Sequence, residues 1–256
     1  MRPAPPRPDL TTPSAAPLPD PSRDIALRPW PAATWSLAET AVVFFMPFGL
    51  VLYLNVVLAG IIGLPDGPAT VLLLTLAQEA ALVLPVLWWM RVTGNGGIER
   101  MGLRPGQFFA RDIWSGFAMG IGLVFVSGIV TAIMVSIVHA VTGHTPGVSG
   151  LDRTFPGHWL YPGAVLAVLV APLCEEFLFR GFLFQGLRRR WSFWPAALVS
   201  GALFAILHGE AIRLPALTEA GVILASAYER RRTLVASITT HLTLNVIAVA
   251  VTLAFR

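Results

Sequence analysis

Apolar residues occur in this chain as runs of about twenty positions, long enough for membrane-spanning helices. The runs lie at 38–63, 69–90, 114–141, 163–187, 194–211, 214–228 and 233–254. A helix of about 20 residues crosses the roughly 30 Å hydrocarbon core of a bilayer. The pattern therefore predicts an all-α fold, a polytopic transmembrane helical bundle with about seven or eight spans. The two short runs, 194–211 and 214–228, either cross the membrane or dip into it and return.

The segments outside the runs predict a tail and two loops. Residues 1–34 are rich in proline and poor in aliphatic residues, which predicts a disordered tail before a transmembrane domain at 35–256. No apolar core with a cleavage site precedes the first run, so we expect that run to direct insertion. The basic and aromatic stretch 94–114 predicts a loop and an amphipathic helix on the membrane surface. The Gly- and Pro-rich stretch 142–162 predicts an irregular loop.

Composition agrees with a membrane protein and predicts its orientation. The 256 residues are 55% hydrophobic and 12% charged, and the net charge of +4 comes from arginine without lysine. With the tail inside, 14 arginines lie on the tail side and 3 on the other. This bias predicts a cytoplasmic N-terminus, and the arginine-, alanine- and proline-rich composition indicates a bacterial inner membrane. We expect the lipid bilayer as the surroundings and no nucleic acid partner. Cys174, the single cysteine, excludes an intrachain disulfide.

The run at 163–187 contains the motif CEEFLFRGFLF, whose three charges are costly inside a membrane. Glu176 and Arg180 are four residues apart on one helix face, with the acid first, which favours an ion pair. Glu175 is rotated by about 100° from Glu176 and is therefore free for a partner on another helix. Pro172 removes a backbone donor just before the motif and favours a bend.

Three further polar residues are predicted at a similar depth. Counted from the cytoplasmic ends of their spans at about 1.5 Å per residue, Glu175 lies about 18 Å deep, His208 about 20 Å, His241 about 12 Å and Asn245 about 18 Å. A carboxylate beside imidazoles can take a proton from water, and imidazole or amide N–H groups can stabilise an oxyanion. Glu175, His208, His241 and Asn245 are therefore the candidate catalytic residues.

The same residues leave a metal site open as an alternative. Glu175, His208 and His241 would be the ligands of a divalent metal such as zinc. The HExxH spacing of soluble zinc proteases is absent, so the motif requires no cofactor. Glu79 and Glu219 are single embedded acids without a local motif, and we interpret them as structurally paired or as the wall of a hydrated cavity.

Three motifs in this order resemble the CPBP family, which includes type II CAAX prenyl endopeptidases and the bacteriocin-processing and Abi proteins. Its EExxxR motif matches Glu175-Glu176-Phe-Leu-Phe-Arg180, its FxxxH motif matches Phe204-Ala-Ile-Leu-His208, and its HxxxN motif matches His241-Leu-Thr-Leu-Asn245. The resemblance extends over about 160–250, which would form the catalytic core.

This resemblance implies an intramembrane endopeptidase, a hydrolase that cleaves a membrane-associated protein or peptide. If the residues that match the family motifs have the same roles here, Glu175 with His208 would activate water, while His241 and Asn245 would stabilise the oxyanion. Glu176, Arg180 and Phe204 would support the site. Both metal-dependent and metal-free glutamate mechanisms are proposed in the family. We favour the metal-free one, because the Asn245 side chain is better suited to stabilising an oxyanion than to binding zinc.

Two other functions are compatible with the sequence. A non-catalytic membrane immunity factor or scaffold would not need the complete set of three motifs. A transporter would use the embedded acids Glu79, Glu175 and Glu219, but the chain has no recognisable inverted repeat.

Overall fold

The computed structural model describes residues 33–57, 63–95, 97–103, 109–146 and 151–254. These residues form helices and contain no strand, so the predicted all-α fold is confirmed. The predicted tail lies outside them, apart from residues 33 and 34, and so does part of the first run. We number the main helices α1 (Leu37–Asn55), α2 (Pro68–Thr93), α3 (Phe109–Thr142), α4 (Gly157–Arg188), α5 (Phe193–Leu207), α6 (Leu214–Arg231) and α7 (Leu234–Ala254).

Four of these helices, α2, α3, α4 and α7, are long and apolar enough to cross a membrane. The chain is therefore an integral membrane protein. Helix α5 has only 15 residues, a length of about 22 Å, and so is shorter than the hydrocarbon core. It forms a hairpin with α6. Whether these two short runs cross the membrane or dip in and return stays a prediction.

Close contact between α5 and α6 depends on two glycines. A Cβ atom added to Gly221 would lie 2.4 Å from the Cα atom of Gly201, and one added to Gly201 would lie 2.6 Å from the carbonyl oxygen of Thr218. Small residues let membrane helices approach until their backbones touch. The hairpin therefore brings the backbone of α6 close to α5 at a point where no larger residue fits.

An aromatic cluster joins α1, α2 and α4. Trp35 stacks on Phe182 with a centroid distance of 5.1 Å and meets Trp89 edge-on at 5.8 Å. The guanidinium of Arg189 donates to the carbonyl oxygen of Trp35 at 2.8 Å. The side chain of Ser36 caps α1 in a reciprocal pair with Glu39, which satisfies the first free amide groups of that helix. This cluster holds α4 from the side of α1 and α2.

The stretch 94–114 was predicted to form a loop and an amphipathic surface helix, and residues 96 and 104–108 lie outside the described residues. Its described residues form one 3-10 turn, Ile98–Met101, and the start of α3 at Phe109. Met101 is fully buried, and its carbonyl oxygen accepts a hydrogen bond from the Tyr228 hydroxyl at 3.0 Å. The carbonyl oxygen of Gly102 accepts from the backbone N–H of Leu234 at 3.1 Å. Residues 101 and 102 pack under α6 and α7, where the ends of those helices supply hydrogen-bond donors.

Two ion pairs link the helix ends on the side predicted to be cytoplasmic. Arg188 at the end of α4 contacts Glu229 of α6 at 2.7 Å, and Arg231 of α6 contacts Asp112 of α3 at 2.6 Å. Both pairs are partly shielded from solvent, which strengthens them relative to fully exposed pairs. They hold α6 between α3 and α4, so the inner ends of the motif-bearing helices are fixed relative to each other.

Candidate active site

Helix α4 changes its winding on both sides of the two adjacent glutamates. Leu166–Val170 and Phe177–Phe184 are π-helical, and the α-helical segment Ala171–Glu176 lies between them. π-helical turns inside α-helices are rare and are frequent at functional sites. The carboxylates of Glu175 and Glu176 therefore project from a short α-helical segment with a wide turn on either side.

Glu176 is completely buried and accepts hydrogen bonds from two side chains through one oxygen. Its Oε1 lies 2.7 Å from an Arg180 guanidinium nitrogen and 3.0 Å from Nδ1 of His241. The predicted pair of Glu176 and Arg180 is thus present, four residues apart on one face. Glu176 also holds a histidine of α7, a contact that the spacing within the motif does not reveal.

Arg180 connects the motif to α5 and α6. Its second terminal nitrogen donates to the carbonyl oxygen of Gly221 at 3.2 Å, and its guanidinium carbon lies 4.8 Å from the centroid of the Phe204 ring. The side chain is completely buried. A buried cation needs such partners, because removing it from water costs several kcal/mol. Phe204 and the glycine crossing of α5 and α6 therefore both support the charged pair.

His241 lies between the two carboxylates. The carboxylate oxygen of Glu176 can only accept, so Nδ1 of His241 is the donor in that hydrogen bond, and the neutral ring then has a lone pair on Nε2. Nε2 lies 3.8 Å from Oε2 of Glu175, which is too far for a hydrogen bond. When the His241 ring is neutral, two acceptors thus face each other across a gap. A water molecule that donates one hydrogen bond to each would satisfy both.

His208 lies at the C-terminal end of α5 and makes no hydrogen bond or ion pair with Glu175 in the described part of the chain. Its Nδ1 donates to the carbonyl oxygen of Phe204 at 2.7 Å, which leaves a lone pair on Nε2. The Phe204 ring lies 4.5 Å from the His208 ring and 5.8 Å from the His241 ring, between centroids. The imidazole recorded close to Glu175 is that of His241, at 3.8 Å, and the expected action of His208 with Glu175 stays a prediction.

Asn245 supplies a donor that Pro172 removes from α4. The N–H of Ala171 donates to the carbonyl oxygen of Leu166, five residues earlier, as in a π-helix. In this register residue 172 would donate to Ala167, but proline has no N–H. The amide Nδ2 of Asn245 donates to that carbonyl oxygen instead, at 2.7 Å. One of its two N–H groups is therefore used structurally, and the other remains for a ligand.

The three candidate metal ligands do not come together in this geometry. Glu175 and His241 face each other, but among the residues that the structure describes no group of three His, Cys, Asp or Glu side chains converges on one point. A structural or catalytic zinc site has at least three protein ligands. The donor set as arranged does not fit such a site, so we derive no step through a metal.

Glu79 of α2, which the sequence indicated to be structurally paired or part of a hydrated cavity wall, lies close to this region. It is buried, and α2 packs against the Ala171–Glu176 segment of α4. Its Oε2 has no hydrogen-bond partner in the described part of the chain. The signal in the sequence is its depth: Glu79 precedes Arg91 by 12 residues, and Glu175 precedes Arg188 by 13. One carboxylate oxygen of Glu219 accepts from the Ser127 hydroxyl at 2.8 Å, and its buried Oε1 has no hydrogen-bond partner among the described residues.

Comparison with known proteins confirms the resemblance in the segment that contains the site. Residues 157–247 match the family model described as type II CAAX prenyl endopeptidase Rce1-like. A protein of Bacillus subtilis (strain 168) named "Putative membrane peptidase YdiL" is 31% identical over 85 residues, which are 33% of this chain and 35% of that protein. The chain therefore matches about a third of the length of this curated relative. No solved structure matches the chain.

Proposed function

We propose that this chain is an intramembrane endopeptidase in which Glu175 activates the water that hydrolyses a peptide bond. The observation that supports this best is the gap of 3.8 Å between Oε2 of Glu175 and Nε2 of His241. His241 is oriented across that gap by its hydrogen bond to Glu176. The family match over 157–247 and the relative named as a membrane peptidase support the same class of reaction.

In the proposed reaction, water donates one hydrogen bond to Glu175 and the other to Nε2 of His241. Glu175 removes its proton as the water oxygen attacks the scissile carbonyl carbon. The tetrahedral intermediate then collapses, the C–N bond breaks, and the proton passes from Glu175 to the leaving nitrogen. Products are a carboxylic acid and an amine, and Glu175 is again ionised. A positioned base of this kind contributes about 10²- to 10⁴-fold to the rate.

The proposed oxyanion donor is the second N–H of the Asn245 amide. Its first N–H is held by Ala167, so the direction of the second is restricted, and such preorganised donors stabilise developing charge effectively. We assign His208 to contact with the substrate, because the residue is exposed and its ring packs on Phe204, which also contacts the ring of His241.

The proposed substrate is a membrane-associated protein or peptide. The site lies within the long apolar helix α4, so a substrate segment has to reach it from within or beside the bilayer. We further propose that the protein lies in a bacterial inner membrane with its N-terminus in the cytoplasm, as the arginine distribution indicates.

The direct test is cleavage by purified protein in detergent, with a panel of prenylated and membrane peptides as substrates. Glu175→Gln keeps the size of the side chain and removes the base. We expect it to lower kcat by at least about 10²-fold with little change in KM, because the base acts mainly in the transition state.

Glu219→Gln is the matched control, since it changes another embedded glutamate away from the gap. We expect its cleavage rate to stay within about twofold of wild type, as for substitutions away from such a site. Cleavage that is unchanged in Glu175→Gln would contradict the proposal. Absence of cleavage, together with a cellular phenotype that survives Glu175→Gln, would favour the immunity or scaffold function.

A further inference from the structure

The turn between α4 and α5 meets the end of α6 at a corner of the molecule that is rich in arginine. Arg188 donates to both carboxylate oxygens of Glu229, at 2.7 and 2.9 Å, and to the carbonyl oxygen of Trp191 at 2.7 Å. These bonds join the two helix ends and fold the turn around the Arg188 guanidinium. Arg190, two residues after Arg188, and Arg230, the neighbour of Glu229, therefore lie at the same corner.

Arg190 and Arg230 have no carboxylate partner in the described part of the chain. Both residues are exposed, and neither side chain forms an ion pair or hydrogen bond with another described residue. Glu229 of α6 and Asp112 of α3, the carboxylates at the neighbouring helix ends, are each already paired with another arginine. The corner therefore has two positive charges that an anion from outside can compensate.

Exposed aromatic and apolar side chains adjoin these charges. Trp191 lies in the turn, and Trp194, at the start of α5, is 65% exposed. Leu198, one helical turn further along α5, is 50% exposed. Residues four apart lie on one face of a helix, so Trp194 and Leu198 form one apolar strip about 6 Å long. Because α5 and α6 form a hairpin, this strip starts at the end of the molecule where Arg230 lies.

The combination of cations and an apolar strip determines which anion fits the corner. Tryptophan is typical of the membrane–water interface, so the strip leads from the interface into the hydrocarbon. A free phosphate ion or an acidic peptide matches the arginines and leaves the strip unused. An anionic phospholipid matches both, because its phosphate group lies at the interface and its acyl chains lie in the hydrocarbon. Basic pockets between the cytoplasmic ends of membrane helices bind such head groups.

We propose that this corner is a binding site for an anionic phospholipid. Its phosphate group accepts hydrogen bonds from Arg190 and Arg230. Its acyl chains lie along the strip of Trp194 and Leu198. The bound lipid bridges the ends of α4 and α6, the same helix ends that the ion pair of Arg188 joins. A ligand that binds only the folded chain stabilises it, so anionic lipid stabilises this packing. The inference does not depend on the proposed peptidase function.

The test measures quenching of tryptophan fluorescence by lipids with brominated acyl chains, with the purified full chain in an uncharged detergent. The probes are brominated phosphatidylglycerol, which is anionic, and brominated phosphatidylcholine, which is neutral overall. The difference between wild type and Trp194→Phe isolates the signal of Trp194. One arginine near the membrane surface contributes about fivefold to the binding of anionic lipid. We therefore expect wild type to bind phosphatidylglycerol at least about tenfold more tightly than phosphatidylcholine.

Removal of the two charges should abolish this preference. In the double variant Arg190→Gln, Arg230→Gln we expect a preference of less than about threefold. Arg91→Gln is the matched control, since Arg91 is an exposed arginine at the end of α2, which packs against α1 and α4. We expect Arg91→Gln to keep the preference within about twofold of wild type. All these arginines are exposed, so melting temperatures without added lipid should be close to that of wild type.

The melting temperature with added lipid is a second readout. Phosphatidylglycerol should raise that of wild type by a few degrees, and that of the double variant by less than half as much. A preference that persists in the double variant would overturn the proposal. An equal loss in Arg91→Gln would also overturn it, because diffuse surface charge would then explain the binding. So would stabilisation of wild type by inorganic phosphate or an acidic peptide to the same extent as by the lipid.

Discussion

Glu176 is the carboxylate with the most contacts in the site, although Glu175 is the proposed base. One oxygen of Glu176 binds both Arg180 and His241. A histidine held by a carboxylate on one nitrogen has a defined tautomer and a fixed ring direction. Glu176 therefore has two roles, compensation of a buried cation and orientation of the ring that faces Glu175.

These two roles of Glu176 can be separated by substitution. Glu176→Leu alone leaves a buried arginine without its partner, and we expect a loss of about 3 to 5 kcal/mol in unfolding free energy. In the double variant Glu176→Leu, Arg180→Met the charge is also gone, so stability should return to near that of wild type. Thermal unfolding in detergent checks both.

Peptide cleavage in the same double variant tests the orienting role. His241 would have no carboxylate to hold its Nδ1, so we expect kcat to remain at least about tenfold below wild type despite recovered stability. Full recovery of cleavage would mean that Glu176 acts only through Arg180.

Among the helices, α4 affects the site most, because it contains two π-helical segments. The first of them, followed by Pro172, leaves the carbonyl oxygen of Ala167 without a backbone donor, and Asn245 of α7 fills that place. A side chain of α7 thus donates a hydrogen bond to a carbonyl oxygen that the irregular winding of α4 leaves free, and this bond fixes the two helices in register. A free carbonyl inside a membrane has no water to bind instead.

A double-mutant cycle on Pro172 and Asn245 tests this account. Asn245→Ala in wild type should cost about 1 to 3 kcal/mol, because Ala167 loses its donor. In the Pro172→Ala background residue 172 has an N–H that can supply the bond, so the same change should cost less than half as much. Unfolding midpoints in detergent measure both; equal costs in the two backgrounds would exclude the compensation.

At the scale of the whole molecule, the site is supported by the crossing of α5 and α6, where two glycines meet and no candidate catalytic residue lies. Gly201 and Gly221 let α5 and α6 touch, and the carbonyl oxygen of Gly221 binds Arg180 at that point. From there a chain of contacts leads through Glu176 to His241. The distance between α5 and α6 is thus coupled to the orientation of the ring in the site.

Substitution of Gly221 by alanine should disturb this chain. Because the added methyl group would meet Gly201 at 2.4 Å, we expect a loss of about 1 to 3 kcal/mol in stability and a lower kcat. Gly122→Ala in α3 is the matched control, since its Cβ would have no atom within 4 Å. Alanine favours a helix over glycine by about 1 kcal/mol, so the control should be as stable as wild type or more so.

Melting temperature and peptide cleavage of the two alanine variants decide the outcome. Equal behaviour of Gly221→Ala and Gly122→Ala would show that the close crossing is not needed for the site.

The sequence by itself determined the all-α membrane fold and the pair of Glu176 and Arg180. Long apolar runs have one environment in which they are stable, and an acid and a base four residues apart meet on any helix. The family resemblance was likewise readable from three short motifs. These features are local, so they do not depend on how the helices are packed.

Only the tertiary structure decided which groups meet between helices. Glu176 and His241 are 65 residues apart, and their contact depends on the rotation of α4 and α7, which depth along a helix does not reveal. The same rotation brings Nε2 of His241 to 3.8 Å from Glu175. Helix α2, which contains Glu79, packs against the same segment of α4. Packing sets these contacts, because helix faces turn until backbone, glycine and ion-pair contacts are all satisfied together.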